Sequence, residues 1–574
     1  MSTKSKQWIV ASPAPPDVIH EDRDINSVIA QILYNRGFTS PSEADEFLQV
    51  TDEFINPFEM KGMNEAVRRI RLAIRRKELI IVYGDFDADG VTSTALMMQT
   101  LTALGAVAKP YIPHRVDEGY GVNSQALIRL AHEGAKLIIT VDCGIRSVSE
   151  IEDGIAAGLD IIVTDHHSIG PEIPQTIAVL NPKQVDCNYP EDMLAGVGVA
   201  FKLADALLRV SAVQDRQQLN LQLEDLLDLV AIGTVADLAP LDRLENRLLV
   251  QRGLAVLNRA QRPGIRALLE VSNVEPGKVS AMSIGFALGP RINAAGRLES
   301  AMIAFHLLTA KDYEHALALA QQLQSLNVQR QELTRQAQES VRQSLALNEV
   351  ASPLIFASGQ FKSGIVGLVA GRLTEEFFRP AVIMEEGELE SRASCRSIPQ
   401  FDITRALDQC ADLLVRHGGH AQAAGFTVVN VNIPALREKL MRLAADTLAG
   451  QNLRPMLEID ADLTGYPLSE KLVEELKRLE PTGYMNPTPI FMLSNLRVLD
   501  KRSVGKDSQH IKLKLAHGKY PPMDAIGFGL GHWMSELPQN IDAAFQLEIN
   551  EWNGYRTLQL NLQDIRPTQV DRWA

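Results

Sequence analysis

Aromatic residues make up only 5% of this sequence, cysteine occurs four times, and basic residues are outnumbered, 57 Lys and Arg against 71 Asp and Glu. Each shortage excludes something. A net charge of −14 excludes a generic nucleic-acid coat, which is basic throughout. It leaves room for an enzyme whose basic residues gather at a cleft. Cys143, Cys187, Cys395 and Cys410 are far apart and form no CxxC, which excludes a disulfide scaffold or a cysteine zinc site and indicates reduced thiols. No apolar run is long enough to span a bilayer. The segment MSTKSKQWIVASPAPPD has none of the apolar core of a secretory signal. A cytoplasmic protein with no membrane association is therefore expected. What is present is an ordinary globular composition, 45% hydrophobic and 22% charged over 574 residues, room for about three to four domains.

The first sixty residues read as short helical pieces with proline-rich joints (Pro13, Pro15, Pro16, Pro41, Pro57). A regular pattern follows. Apolar runs at Leu79–Tyr83, Ala108–Ile112, Leu137–Val141, Asp160–Val163 and Ile177–Leu180 alternate with helical stretches such as Val91–Leu104 and Ser124–His132. Strands and helices in alternation predict a parallel sheet covered on both faces. From Leu298 to Ser352 there is no Gly or Pro, and Leu317, Ala320, Leu323, Leu326, Leu333, Ala337 and Val341 recur at three- and four-residue steps. That spacing predicts a long amphipathic helical connector. A second α/β region spans roughly 353–450, with a Gly-rich helix start at Ser363-Gly364-Ile365-Val366-Gly367. From Pro455 to Pro567 short strand-like runs predict a small β-barrel.

Three of the apolar runs end in metal-ligating chemistry: Asp85-Phe-Asp87-Ala-Asp89-Gly90, Asp142-Cys-Gly144 and Asp165-His166-His167. Ligands of open parallel sheets sit outside the carboxyl ends of the strands. Carboxylates one residue apart repel, and a cation or a proton relieves the repulsion. Hard divalent ions take oxygen ligands, and Mn²⁺ also tolerates imidazole. Gly90, followed by Val-Thr-Ser-Thr, lets a helix N-terminus approach the site. Asp237 in Gly233-Thr-Val-Ala-Asp237 ends a further apolar stretch and is expected at a fourth strand end. Singly, each group also reads as a turn or cap residue. Together, at the strand ends of one sheet, they read as a metal site.

The set GDFDADG (84–90), VDCG (141–144), TDHH (164–167) and GTVAD (233–237) resembles the DHH phosphoesterase superfamily. With GPRINAAGR (289–297), SRASCRS (391–397), GGHAQAAG (418–425) and the C-terminal β region, the order is similar to that of the RecJ exonucleases. The resemblance covers roughly Val82 to the C-terminus. It implies an α/β, two-lobed fold: a doubly wound parallel DHH sheet, a smaller DHH-associated lobe and an OB-type barrel. The implied division is an N-terminal cap (1–60), a DHH domain (61–297), a connector (298–352), a DHH-associated domain (353–452) and an OB domain (453–574). It implies two Mn²⁺ or Mg²⁺ ions, with Asp87 on one, Asp89 on the other, Asp142 bridging, and His166 and Asp237 completing the second site. Asp85 and His167 would act in catalysis, with His167 facing the scissile phosphate. Arg291, Asn293 and Arg297, on a Gly-rich turn, would neutralise phosphate. Arg115, Ser394 and Arg396 would seat a 5′-phosphate, and Gly418, Gly419 and His420 would let backbone approach the nucleotide.

The implied activity is 5′→3′ hydrolysis of single-stranded DNA to 5′-mononucleotides in repair and recombination. Two ions about 4 Å apart suit an in-line displacement. The implied partners are single-stranded DNA with a 5′ end, a single-strand-binding protein and a helicase, acting on a monomer. Competing readings are a DHH phosphodiesterase for short oligoribonucleotides or cyclic dinucleotides, and a non-catalytic replication scaffold. Lys501, Arg502, Lys506, Lys512 and Lys514, against Asp507, predict a basic strip on the barrel. The chain departs from its relatives at Phe361-Lys362, at Cys395 and at Met485, which stands where they carry glycine. Tyr83 stands where other DHH branches carry a metal-binding histidine.

Overall fold

The computed structural model describes residues 6–15, 26–49, 53–115, 118–119, 121–214, 220–348, 352–518, 520–552 and 554–568. The chain forms two compact units, one of residues 53–453 and one that joins the described parts of 1–52 and 454–574. Among the described residues no helix is long and apolar enough to cross a membrane.

In the first unit β1 (Leu79–Gly84), β2 (Val107–Tyr111), β3 (Ala135–Val141), β4 (Asp160–Thr164) and β5 (Ala178–Leu180) form a wholly parallel sheet, ordered β2-β1-β3-β4-β5. These are the five strands predicted from the apolar runs, with ends moved by one or two residues. Helix α1 (Ala88–Ala103) leaves the end of β1 and packs against α2 (Gly196–Gln214) and α3 (Leu227–Ala236). Leu96, Val197, Phe201 and Ile232 are fully buried in that layer.

Helix α3 corrects the expectation of a fourth strand end. Leu227 to Val235 are all buried, so the segment has no polar stripe, and a short helix without one cannot be told from a buried strand by periodicity. Arg291, Asn293 and Arg297 likewise lie not on a turn but on a helix, α4 (Gly289–Leu298), entered through a wider π turn at Ile284–Leu288. Gly296 serves close packing there: a Cβ would come within 2.4 Å of the Phe86 carbonyl oxygen.

The connector is two helices, Met302–Thr309 and α5 (Tyr313–Asn348). At 36 residues α5 runs about 54 Å. Ala316, Ala320 and Leu323 lie in the core of the DHH lobe, and Ala337 and Val341 in that of the second lobe. One helix thus enters both cores. The second lobe holds β6 (Ile355–Gly359), α6 (Ser363–Phe377), β7 (Ala381–Glu385), β8 (Glu390–Arg396), β9 (Leu414–His420) and β10 (Ala423–Val429). Its sheet order is β9-β10-β8-β7-β6, with only β6 and β7 parallel. The two lobes meet where α6 begins. Arg297 Nη1 donates to the Gly364 carbonyl at 3.0 Å, and a Cβ on Gly364 would lie 2.2 Å from the Arg297 carbonyl oxygen.

In the second unit Phe491–Val504, His510–Ala516, Met523–Gly527, Tyr555–Pro567 and Asn540–Trp552 close into a five-stranded barrel, because the first also pairs with the last. The described parts of 6–49 pack with the C-terminal barrel. Gln7–Val10 pairs in parallel with Met456–Ile459, and Ile29, Ile32, Leu33 and Phe47 share the barrel core with Phe491, Leu513 and Phe545. Of the basic strip, Arg502 and Lys512 are cross-strand neighbours, but Asp500 stands opposite Lys514 and Lys501 Nζ donates to the Met534 carbonyl. The strip is therefore less purely basic than its sequence suggests. Met485 takes a left-handed φ of 59°, a backbone conformation that glycine adopts without strain.

Candidate metal centre

Seven predicted groups converge beyond the carboxyl ends of β1, β3 and β4. Three sets have ligand atoms within 4.8 Å of one another: Asp85, Asp87 and Asp142; Asp89, His166 and Asp237; and Asp142, His166 and His167. The backbone explains the convergence. Asp87 is the N-cap of α1, its Oδ1 accepting from the Asp89 and Gly90 amides. The cap and metal readings of Asp87 thus coexist. Asp89, one residue into the helix, is 1% exposed. Its two oxygens accept from the Gly196 and Val197 amides at 2.7 and 2.8 Å, at the start of α2, where free amides and the helix dipole favour a carboxylate. Asp142 takes a left-handed φ of 61°, turning its side chain back over the sheet edge. Asp237 arrives as the C-cap of α3.

The donor set fits a cation. Asp85 Oδ1, Asp142 Oδ1 and His166 Nε2 are buried and have no hydrogen-bond partner among the described residues. His166 Nε2 lies 3.1 Å from Asp142 Oδ1, 3.6 Å from Asp237 Oδ2 and 3.9 Å from Asp89 Oδ2. Orphaned acceptors in a buried carboxylate cluster are costly, and an oxygen- and nitrogen-ligated divalent ion offsets that cost. Proton affinities show the same tension. Burial, then the Asp87 carboxylate, raises Asp89 to about 7. Burial, then Asp89, raises Asp237 to about 9. Burial, then His167, lowers His166 to about 3, so its ring is neutral and free to ligate.

His167 is placed differently. Its Nδ1 lies 2.8 Å from Asp165 Oδ1, and its side chain is 40% exposed. Burial opposes its charge, but the bond to Asp165 prevails and raises its pKa. Sequence reasoning gave Asp165 no role, yet it organises the motif: it accepts from the His166, His167 and Ile145 amides as well. Asn181 and Lys183 were also missed. Asn181 Nδ2 donates to the His167 carbonyl, and Lys183 Nζ to the His166 carbonyl. Position directly after β5 was the only signal for them. Tyr83, in the place of another branch's ligand, is buried with its hydroxyl on the Gly121 carbonyl.

The predicted phosphate contacts separate into two groups. Arg115, Ser394 and Gly418 line one cavity of about 430 Å³ between the lobes. The Arg115 guanidinium sits over the Phe86 ring at 4.7 Å. Arg396 Nη1 donates to Ser394 Oγ, and Gly367 keeps the space above Ser394 open, since a Cβ there would be 3.0 Å from the hydroxyl. Arg297 is pushed down to about 10 by burial, then by Arg115 and Arg330. A buried guanidinium close to other arginines is a candidate contact for an anion. The others are held elsewhere. Asn293 Oδ1 accepts from the Ala88 amide and so fixes the start of α1. Arg291 donates to Gln324 and the Ala287 carbonyl. Gly419 (φ 148°) is packed against Ala423 and Ala424, and the His420 carbonyl accepts from Thr404.

Two glycines hold the ligands close. A Cβ on Gly196 would meet Asp142 Oδ1 at 2.6 Å, and one on Gly233 would meet Asp89 Oδ1 at 2.8 Å. Gly196→Ala is expected to lower turnover about a hundredfold by displacing Asp142, at about 1–3 kcal/mol in stability. Steady-state kinetics beside thermal unfolding checks this; unchanged turnover would refute the packing argument.

Comparison with known proteins agrees with this geometry. The DHH family N-terminal domain matches residues 79–234, the DHHA1 domain 350–447 and the RecJ OB domain 459–564. The Bacillus subtilis single-stranded-DNA-specific exonuclease RecJ is 39% identical, over 100% of this chain and 72% of its own length. The Escherichia coli RecJ is 35% identical, over 95% and 96%. The crystal structure of Thermus thermophilus RecJ in complex with Mn²⁺ superposes with a TM-score of 0.83 at 30% identity, over 98% of this chain and 80% of that one. Its Mg²⁺ complex gives 0.77 at 28%, over 98% and 79%. With a metal-ligand cluster beyond a parallel DHH sheet, an associated second lobe and a closed barrel, related along its length to these exonucleases, the chain belongs to the RecJ family of DHH phosphoesterases.

Proposed function

We infer that this protein is a metal-dependent exodeoxyribonuclease that hydrolyses single-stranded DNA from the 5′ end and releases 5′-mononucleotides, in DNA repair and recombination. The observation that carries the reading is the cluster of buried, partnerless donor atoms in a chain related to RecJ over its whole length. Asp87, Asp89, Asp142, His166 and Asp237 are the residues that would hold two divalent cations, Mn²⁺ or Mg²⁺. Such ions supply electrostatic stabilisation to a phosphoryl group and acidify water.

The rest falls to the protein. Asp165 holds the His167 ring by its Nδ1, which fixes the orientation in which the ring meets a phosphate oxygen. Asp85, buried with one free oxygen, orients water or a cation from below. Arg115, Arg297, Ser394 and Arg396 seat a terminal phosphate with the planar, bidentate geometry that guanidinium favours. The glycine at 418 leaves open space beside it.

The same reading includes a monomer working in the cytoplasm beside a single-strand-binding protein and a helicase. The test uses single strands labelled at either end with Mn²⁺. Label is expected to leave the 5′ end first, as mononucleotide; first release from the 3′ end would overturn the polarity.

A further inference from the structure

The cavity beside Ser394 carries more positive charge than one terminal phosphate needs. Along β8, Ser391, Ala393 and Cys395 point into the core, and Arg392, Ser394 and Arg396 share the opposite face. Residues two apart on a strand are separated by about 6.8 Å, so Arg392 stands one step beyond Ser394. In register, Arg392 pairs with Thr427 on β10, and Thr427 with Arg416 on β9. Arg416 Nε donates to Thr427 Oγ1 at 3.3 Å. Three adjacent strands thus present Arg392, Thr427 and Arg416 side by side, and all three line the cavity with Ser394 and Arg115.

Both arginines are exposed. Among the described residues neither is ion-paired with a carboxylate; even Glu385, the cross-strand neighbour of Arg392 on β7, makes no such pair. Elsewhere this acidic chain does pair its arginines, as in Arg209 with Asp205 and Arg262 with Asp228. Two guanidinium forks without a carboxylate partner in one cavity are suited to an anion.

We propose that Arg392 and Arg416 form an outer anion subsite that takes the second and third phosphates of a 5′-triphosphorylated strand, while Ser394 and Arg396 hold the first. The proposal rests on the reading that Ser394 and Arg396 seat a 5′-terminal phosphate. Hydrolysis then adds water across the first internucleotide phosphodiester. A P–O bond forms at that phosphorus, the P–O3′ bond breaks, and O3′ gains the proton. The products are a nucleoside 5′-triphosphate and a strand one residue shorter with a 5′-monophosphate.

The test compares strands identical except for a 5′-hydroxyl, 5′-monophosphate or 5′-triphosphate, reading kcat/KM and the first product. The native protein is expected to release nucleoside triphosphate from the third strand, at a kcat/KM no lower than on the second. The Arg392→Ala, Arg416→Ala double variant is expected to lose about tenfold or more on the triphosphate strand alone, and its retained monophosphate rate reports an intact fold. Equal loss on every strand, or a native enzyme that rejects the triphosphate end, would overturn the subsite. Failure to attack any strand from its 5′ end would instead sink the functional reading and the subsite with it.

Discussion

Asp142→Asn is expected to lower turnover on single-stranded DNA by on the order of a thousandfold or more, with the fold unchanged. Asp142 contributes to two of the three ligand groups and places a partnerless oxygen 3.1 Å from His166 Nε2. Asparagine keeps the size of the side chain and removes the charge. It also suits the backbone, since Asn is among the few residues that tolerate a left-handed φ, and that of Asp142 is 61°. Alanine would add backbone strain to the chemical loss and blur the result. Calorimetric titration with Mn²⁺ should show weakened binding in step with the lost rate. Near-native turnover together with unweakened Mn²⁺ binding would remove Asp142 from the site.

Metal removal is expected to make stability fall as pH rises. In the folded chain Asp89 lies at about 7 and Asp237 at about 9, both raised first by burial and then by neighbouring carboxylates. In the unfolded chain each sits near about 3.9. The folded state therefore holds more protons through that interval, and it loses stability as pH rises through the two folded values. His166 opposes this at lower pH. Its folded value of about 3 lies below the unfolded value of about 6.5, so stability rises with pH until about 6.5 and is flat above it. From pH 6.5 to 9 His166 no longer contributes, and His167, whose folded value is also raised, adds to the loss from the carboxylates, so the fall is concentrated in that window. In EDTA, Tm is expected to drop across it by about 5 °C or more. With saturating Mg²⁺ the drop should largely vanish, because a bound cation favours the deprotonated ligands. A flat Tm in EDTA would mean that the cluster carries no such strain.

Much of the site was legible because its chemistry is local. Asp85, Asp87 and Asp89 fall within five residues, and His166 and His167 are adjacent, each group directly after a short apolar run in a regular alternation with helices, which marks the run as a parallel strand. Strand ends on one sheet edge are brought together by topology alone, so Asp142 joined them without further information. Asp237 was expected in the cluster and lies there, but on another element, because a helix buried on every side shows no 3.6-residue period. Asp165 sat in plain view in the same motif. Its role rests on three hydrogen bonds within its own loop and one from the Ile145 amide after β3, which no composition or spacing encodes.

By itself the sequence determined the ligand types, the parallel sheet that carries them and the order of the lobes, since periodicity and strand-end chemistry are properties of neighbouring residues. Packing set which polar groups are free and which are spent: Asn293 on the Ala88 amide, Asp89 on the start of α2, and, among the described residues, Arg392 and Arg416 on no carboxylate. It alone joined residues 6–49 to a barrel more than four hundred residues downstream. The physical reason is the same in each case. A hydrogen bond or a buried contact across hundreds of residues depends on where two surfaces meet, and that is set by the packing of the whole chain.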